Sequence, residues 1–427
     1  MHTTRRGLGP VFANVFAANL SSSLGDGISR VAVPLLAARL TDDPLLISGI
    51  AALALLPWLF FAIPAGILVD HLDRRHLLAA ASAVRAGLAA LLMVLVATDS
   101  LTIWWLYGVI FVYGAFETVY DGAIRAVVPG VVERADLHRA NSRIEASEIV
   151  VQNFLAAPVT SYLLALATLV PLGLNTAAYA VAGGLALFLP RAAVRRTVPA
   201  APAEPVPWRR QMVEGLRVIW GIRPLRTLWL VSSLDGLFFA AAWATMVLFV
   251  LDELAVPENW FGAFMLTGAV GGLLGSVVVG RLARAVGSGR AMASALVLSA
   301  VTLLVMGAFP NVITAAVAFA LASTGTTVWN VLVMSLRQAA VPSRLLGRVH
   351  GTWRTLLWGL MPLGSLLGGQ LARIDLTTPL LVGGGLALVV ALVWFRFLCS
   401  LPEPSSLGEE GLLVGDPVAA SPGPAAG

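Results

Sequence analysis

Apolar residues along this chain gather in long runs between charged or turn-forming breaks. Each run holds roughly 20 residues or more, enough to cross about 30 Å of hydrocarbon at about 1.5 Å per helical residue. Breaks rich in Arg, Asp, Pro and Gly separate them. Read this way, the pattern predicts helices near 11–38, 45–69, 76–97, 102–128, 144–168 and 170–190, and again near 225–251, 259–283, 291–309, 311–338, 353–373 and 377–398. Twelve membrane crossings make an all-α integral membrane protein.

Composition agrees with the pattern. Of 427 residues, 58% are hydrophobic and 12% charged, and the mean hydropathy is +0.86, an excess that no soluble core could bury. Every basic side chain other than His is Arg, since the chain has no Lys. If the N-terminus is cytoplasmic, inside segments hold Arg5, Arg6, Arg74, Arg75, Arg139, Arg281 and Arg348 among others, whereas outside loops hold only Arg39 and Arg373. Such asymmetry in short loops sets orientation, so both termini are expected in the cytoplasm of a multi-pass cell-membrane protein. The net charge of +5 is then a topology signal, and no nucleic-acid partner is expected. The first run is too long for a signal peptide and carries ionisable groups, so it reads as a retained helix. The single cysteine, Cys399, permits no internal disulfide.

Between the two sets of runs, Pro199, Pro202, Pro205 and Pro207 precede the basic segment "WRRQMVEGLRVIWGIRPL", which is amphipathic at helical spacing and suits the membrane surface. The Pro- and Gly-rich tail lacks periodicity and is expected to be disordered. "SSLGDG" ending at Gly27 recurs as "SSLDG" ending at Gly236, matching Asp26 with Asp235, and "RAVVP" from Arg125 recurs as "RQAAVP" from Arg337. A parallel repeat of two six-helix bundles follows: residues 1–190 and 225–401, joined by a cytoplasmic linker at 191–224 and followed by the tail at 402–427.

The break after the second run, "GILVDHLDRRHLL", is similar to the G-x-L-x-D-R-x-G-R-R signature of the major facilitator superfamily, keeping Gly66, Leu68, Asp70, Arg74 and Arg75 but placing His71 and Asp73 where Arg and Gly are usual. "LGDGI", "VPGVVERADLHRAN" and "RQAAVPSRLLGRV" resemble the macrolide-efflux and enterobactin-exporter branch, the transmembrane secretion effectors. That resemblance implies the major facilitator fold and proton-driven export of small amphipathic molecules. It also implies that Asp70 and Arg75 take part in a conformational lock. The antiporter motif of the fifth run departs from the pattern: "NFLAAPVTS" keeps Pro158 but has Ala157 and Ser161 in place of glycines.

Ionisable groups inside a bilayer are costly unless they face a cavity or a partner. In the first run, Asn19, Ser22, Asp26 and Arg30 share one helical face and should line a central cavity, unless Asp26 and Arg30 merely neutralise each other. Asp235 has no cation on its own helix; it either exchanges protons or serves packing beside Gly236. Arg85 and Glu117 lie deep, and Asp121 and Arg125 suit a charge lock with the 66–75 signature. Glu145, Glu148 and Gln152 form a stripe expected at the membrane interface. Ser323, Thr327, Asn330, Met334 and Arg337 form another, either lining a polar path or bonding their own backbone. Gly271 and Gly275, and Gly364 and Gly368, allow close helix approach.

No histidine falls at mid-membrane, and no metal cluster, phosphate loop or nucleophile triad appears. No enzyme activity and no cofactor are expected. The reading is a secondary active transporter, working as a monomer in the bilayer on a small-molecule substrate and protons by alternating access. Uptake or lipid flipping would need the same fold. A non-transporting sensor or scaffold has no use for Asp26 and Asp235.

Overall fold

The computed structural model of the protein describes residues 8–133, 136–190 and 208–407. Its first half holds α1 (Pro10–Leu40), α2 (Pro44–His71), α3 (Arg74–Ala97), α4 (Ile103–Val131), α5 (Leu137–Leu166) and α6 (Leu169–Leu187). A short helix, α7 (Trp208–Gly221), precedes α8 (Arg223–Trp243), α9 (Phe261–Val286), α10 (Ser288–Ala308), α11 (Val312–Ala340), α12 (Ser343–Ala372) and α13 (Thr378–Cys399). Among the described residues ten of these helices are long and apolar enough to cross a membrane by composition alone. α1 and α12 complete the twelve, their apolarity diluted by Asp26 and Arg30 and by Arg348 and Arg354. The linker residues 191–207 and the tail from 408 onward lie outside the described residues.

Short polar caps set the tight turns. Asp43 accepts from the Leu45 N–H at 3.0 Å, and Asp73 from the Arg75 N–H at 3.0 Å, each satisfying a donor that the helix cannot. Two helices start well before their apolar runs: α5 at Leu137 rather than near 144, and α12 at Ser343 rather than near 353. Hydropathy marks the hydrocarbon-embedded part of a helix and is blind to the polar turns that extend beyond it.

The packing repeats. α1 contacts α5 and α6, α2 contacts α4, and α3 contacts α4 and α6; correspondingly α8 contacts α12 and α13, α9 contacts α11, and α10 contacts α11 and α13. Small residues permit the close approaches: a Cβ at Gly271 would lie 1.9 Å from the Ala320 carbonyl oxygen, and one at Gly368 would lie 2.0 Å from that of Ala241. The halves meet along α2–α12 and α5–α9, two contacts that the repeat interchanges.

One feature of the core locates the cavity. Toward the α1–α2 turn a single apolar cluster joins both halves, with Leu36 and Ile47 packed among Val250, Phe261 and Phe319. Toward the α2–α3 turn, here the signature face, each half keeps its own cluster, one around Tyr120 and one around Trp329. The halves are therefore sealed together at one face and part toward the other.

Candidate functional site

The space between the halves is a cavity of about 1680 Å³. Its sealed end is held by contacts that cross from one half to the other. Arg39, at the end of α1, pairs with Glu258 at 2.7 Å, and Arg373, at the end of α12, pairs with Asp43 at 2.5 Å. The hydrogen bonds from Arg373 hold the Asp43 carboxyl below its ordinary value, and Asp43 raises Arg373 in turn. Beneath them Ser161 accepts a hydrogen bond from the Gly262 N–H at 3.0 Å, and a Cβ at Gly262 would lie 2.0 Å from the Ala157 carbonyl oxygen. The altered antiporter motif is thus the surface on which α5 meets α9. Just ahead of Pro158, α5 widens into a π-helical stretch, Val150–Ala156, the kind of local unwinding that accompanies a proline.

The wall from the second half is largely aromatic and apolar: Phe239 stacks on Trp243 with ring centroids 5.7 Å apart, and Trp243 meets Phe319 at 5.0 Å. The wall from the first half carries charge. Asp26 pairs with Arg85 rather than with Arg30: its Oδ1 accepts from Arg85 Nη1 at 3.0 Å, Tyr113 OH at 2.6 Å and Tyr179 OH at 2.9 Å. Arg85 is fully buried. Its guanidinium also donates to Ser22 Oγ at 2.9 Å and lies over the rings of Tyr120 and Tyr179, 4.4 and 4.7 Å from their centroids. The carboxylate and the aromatic faces compensate the buried cation, although its Nε is buried without a hydrogen-bond partner. Arg30 reaches instead to Glu117, at the longer distance of 3.9 Å.

Residues 8–414 match the family described as transmembrane secretion effectors. The chain belongs to that family. It is therefore a membrane transporter of the major facilitator superfamily. A multidrug efflux pump named Tap from Mycolicibacterium fortuitum is 29% identical over 391 residues, covering 87% of this chain and 91% of that one. Macrolide efflux protein A from Streptococcus pyogenes is 21% identical over 392 residues, covering 90% and 94%. Among solved structures, a point mutant of the nucleoside transporter NupG overlays with a TM-score of 0.73 at 12% identity, covering 91% of this chain and 99% of that one. A bacterial homologue of the iron transporter ferroportin, in an inward-facing state, overlays at 0.68 with 18% identity, covering 93% and 100%.

Within this secretion-effector fold, the polar residues picked out from sequence separate into groups. Asn19, Asp26, Arg30, Arg85, Glu117, Asp121, Arg125, Ser323 and Thr327 all line the cavity, whereas Ser22 turns back to Arg85. Neither Asp235 nor Asn330 belongs to the cavity wall. Phe239 and Trp243 take the wall on the stripe of Asp235, and one turn closer to the signature face α8 packs on α12, where a Cβ at Gly236 would meet Leu357 at 3.3 Å. Asn330 is exposed. The Glu145, Glu148 and Gln152 stripe, expected at the membrane interface, lines the cavity instead, and Glu148 accepts from Asn19 Nδ2 at 2.9 Å.

In the signature loop, the Asp70 side chain lies outside the described residues. Arg74, not Arg75, reaches α4, its Nη1 donating to the Ala126 carbonyl at 2.8 Å. Arg75 turns toward Asp73, at 4.0 Å, the aspartate that caps the helix in whose first turn Arg75 lies. Gly66 lines the cavity with nothing within 4 Å of a would-be Cβ.

Tyr113, Tyr120 and Tyr179 were not singled out from sequence. A signal existed, since Tyr113, Glu117 and Tyr120 recur at i, i+4 and i+7 on one face of α4. Tyr179 carries no such mark. Its role depends on α6 packing against both α1 and α3.

Proposed function

We propose that this transporter is a proton-linked exporter of small amphipathic molecules, working by alternating access between the halves 1–190 and 225–401. The observation that carries the reading is the cavity itself. It has an aromatic wall on one side, a titratable wall on the other, a seal at one face and an opening at the other. An amphipathic ligand can bury its apolar part against aromatic side chains such as Trp243 and Phe319 while its polar part meets the charged side chains of the lining, which is how an orientation-fixing site in a mostly apolar pocket is built. The efflux pumps it resembles support the outward direction. The excess of Arg on the signature face supports its assignment to the cytoplasm of a cell-membrane protein, which makes the conformation inward-facing.

Proton coupling falls to Glu117 and Asp235. Asp26 is tied to Arg85 and two tyrosines in this conformation, so protonating it would strand a buried guanidinium. Among the described residues Glu117 has only the long contact to Arg30, whose side chain is 58% exposed, and both face the cavity, where a substrate can compete. Asp235 makes no hydrogen bond or ion pair among the described residues. Closing the signature face would draw Asp121, Arg125 and the 66–75 loop together as the inner gate.

Reconstitution into liposomes with an imposed pH gradient tests the reading. A panel of amphipathic dyes and antibiotics should include compounds that dissipate the gradient and accumulate against their own gradients. Transport that persists unchanged after the gradient is collapsed with an ionophore would rule out the coupling.

A further inference from the structure

The polar side chains on the signature-face end of α12 are not accounted for by proton coupling. His350, Arg354 and Trp358 follow one another at four-residue spacing and all line the cavity. The Arg354 guanidinium lies over Trp358 and over Trp58 of α2, 4.9 and 5.5 Å from the ring centroids, and these rings are 5.4 Å apart across the junction of the two halves. Aromatic faces engage the guanidinium plane and leave its N–H edge free. That edge makes no hydrogen bond or ion pair among the described residues. Arg125 and Asp121 of α4 line the same cavity from the other half, one like and one opposite in charge to Arg354.

Two further donors surround this point. Arg337 is 5% exposed, with its Nε buried and without a partner. Its Nη2 lies 2.9 Å from His350 Nδ1 and its guanidinium over Trp353. Because an arginine can only donate, Nδ1 must be the acceptor nitrogen of His350, which places the imidazole proton on Nε2 as a further donor. Among the described residues the guanidinium charges of Arg337 and Arg354 thus exceed the nearby carboxylate of Asp121, and charge withdrawn from water in this way calls for a counter-charge.

We propose that this cluster is a subsite for the anionic group of a planar aromatic substrate, with Arg354 and His350 donating to the anion and the touching pair Trp58 and Trp358 packing against one side of its ring system. The chemical class is an aromatic carboxylate or phenolate. Arg125 faces the same point from the other half, so a bound anion also removes a repulsion that opposes closure of the signature face, linking occupancy to the conformational step. The inference rests on the exporter reading of this cavity and narrows its substrate class.

Fluorescein and rhodamine 6G share a xanthene skeleton, but the first carries the carboxylate and phenolate that the second replaces with an ester and alkylamino groups, so at neutral pH they present opposite charges to the subsite. Their binding to the full-length protein in nanodiscs, without any gradient, is read by dye anisotropy. The wild-type protein should bind fluorescein. Arg354→Gln should weaken fluorescein by roughly tenfold, as loss of a charge-assisted contact does, and leave rhodamine 6G within about twofold. Arg125→Gln, on the opposite half, should weaken fluorescein in the same sense and keeps the test available if the α12 variant fails to fold. Absence of fluorescein binding to the wild-type protein, or equal weakening of both dyes, would overturn the subsite. Fluorescein binding that depends on Arg354 in a protein without pH-driven flux would support the subsite and sink the proton-coupling reading alone.

Discussion

Replacing Arg85 by Met should be among the most destabilising single changes in this protein, and its cost should largely disappear when Asp26 is replaced by Leu as well. Asp26 Oδ1 receives three donors, from Arg85, Tyr113 and Tyr179, and Arg85 gives a further bond to Ser22. Interhelical hydrogen bonds in membrane proteins are worth about 0.6 kcal/mol on average, so the two made by Arg85 amount to about 1 kcal/mol. The larger contribution is the charge left behind. Breaking a buried pair from one side costs about 3–5 kcal/mol. Some relief is expected here, because the two tyrosine hydroxyls remain on the carboxylate. The single change should therefore cost about 4 kcal/mol, and Asp26→Leu, which strands a fully buried guanidinium, at least as much. The double variant removes both charges and should lie within about 2 kcal/mol of the parent. The double-mutant cycle can be read by SDS titration of helix content in mixed micelles. Additive losses, or single variants as stable as the parent, would show that this pair is not the structural element described here.

Other consequences are equally direct. Asp43 is held below its ordinary value by Arg373, so its contribution to the sealed face is complete above the ordinary carboxylate value of about 4 and is lost as pH falls through the depressed value. Asp43→Asn should reproduce the acid effect at neutral pH, increasing labelling of a cysteine at Phe239 by an impermeant maleimide added on the sealed side. Equal labelling of variant and parent would remove the pair from the seal. Gly262→Val would force a side chain into the Ala157 carbonyl and should hold the sealed face open, lowering transport severalfold while the helices still form by circular dichroism. In proton-driven flux, Glu117→Gln and Asp235→Asn should each abolish coupling and preserve measurable dye binding; a folded Asp235→Asn protein with unchanged coupled flux would take Asp235 out of the mechanism.

Twelve crossings, two matched halves and the family were legible in the sequence because each rests on a one-dimensional property. The hydrocarbon thickness sets the length of an apolar run, and duplication leaves paired segments such as those holding Asp26 and Asp235. The polar stripe of α1 was equally readable, since four-residue spacing fixes which side chains share a face. What tertiary packing decided was the partner of each charge. Asp26 lies closer in sequence to Arg30 than to Arg85, yet α3 brings Arg85 to it and α6 adds Tyr179, contacts between helices that no periodicity records. Packing also moved Glu148 from an expected interfacial position to the cavity and took Asp235 off its wall, because a helical face can be read along one chain segment but the neighbour it meets depends on how the other eleven are arranged.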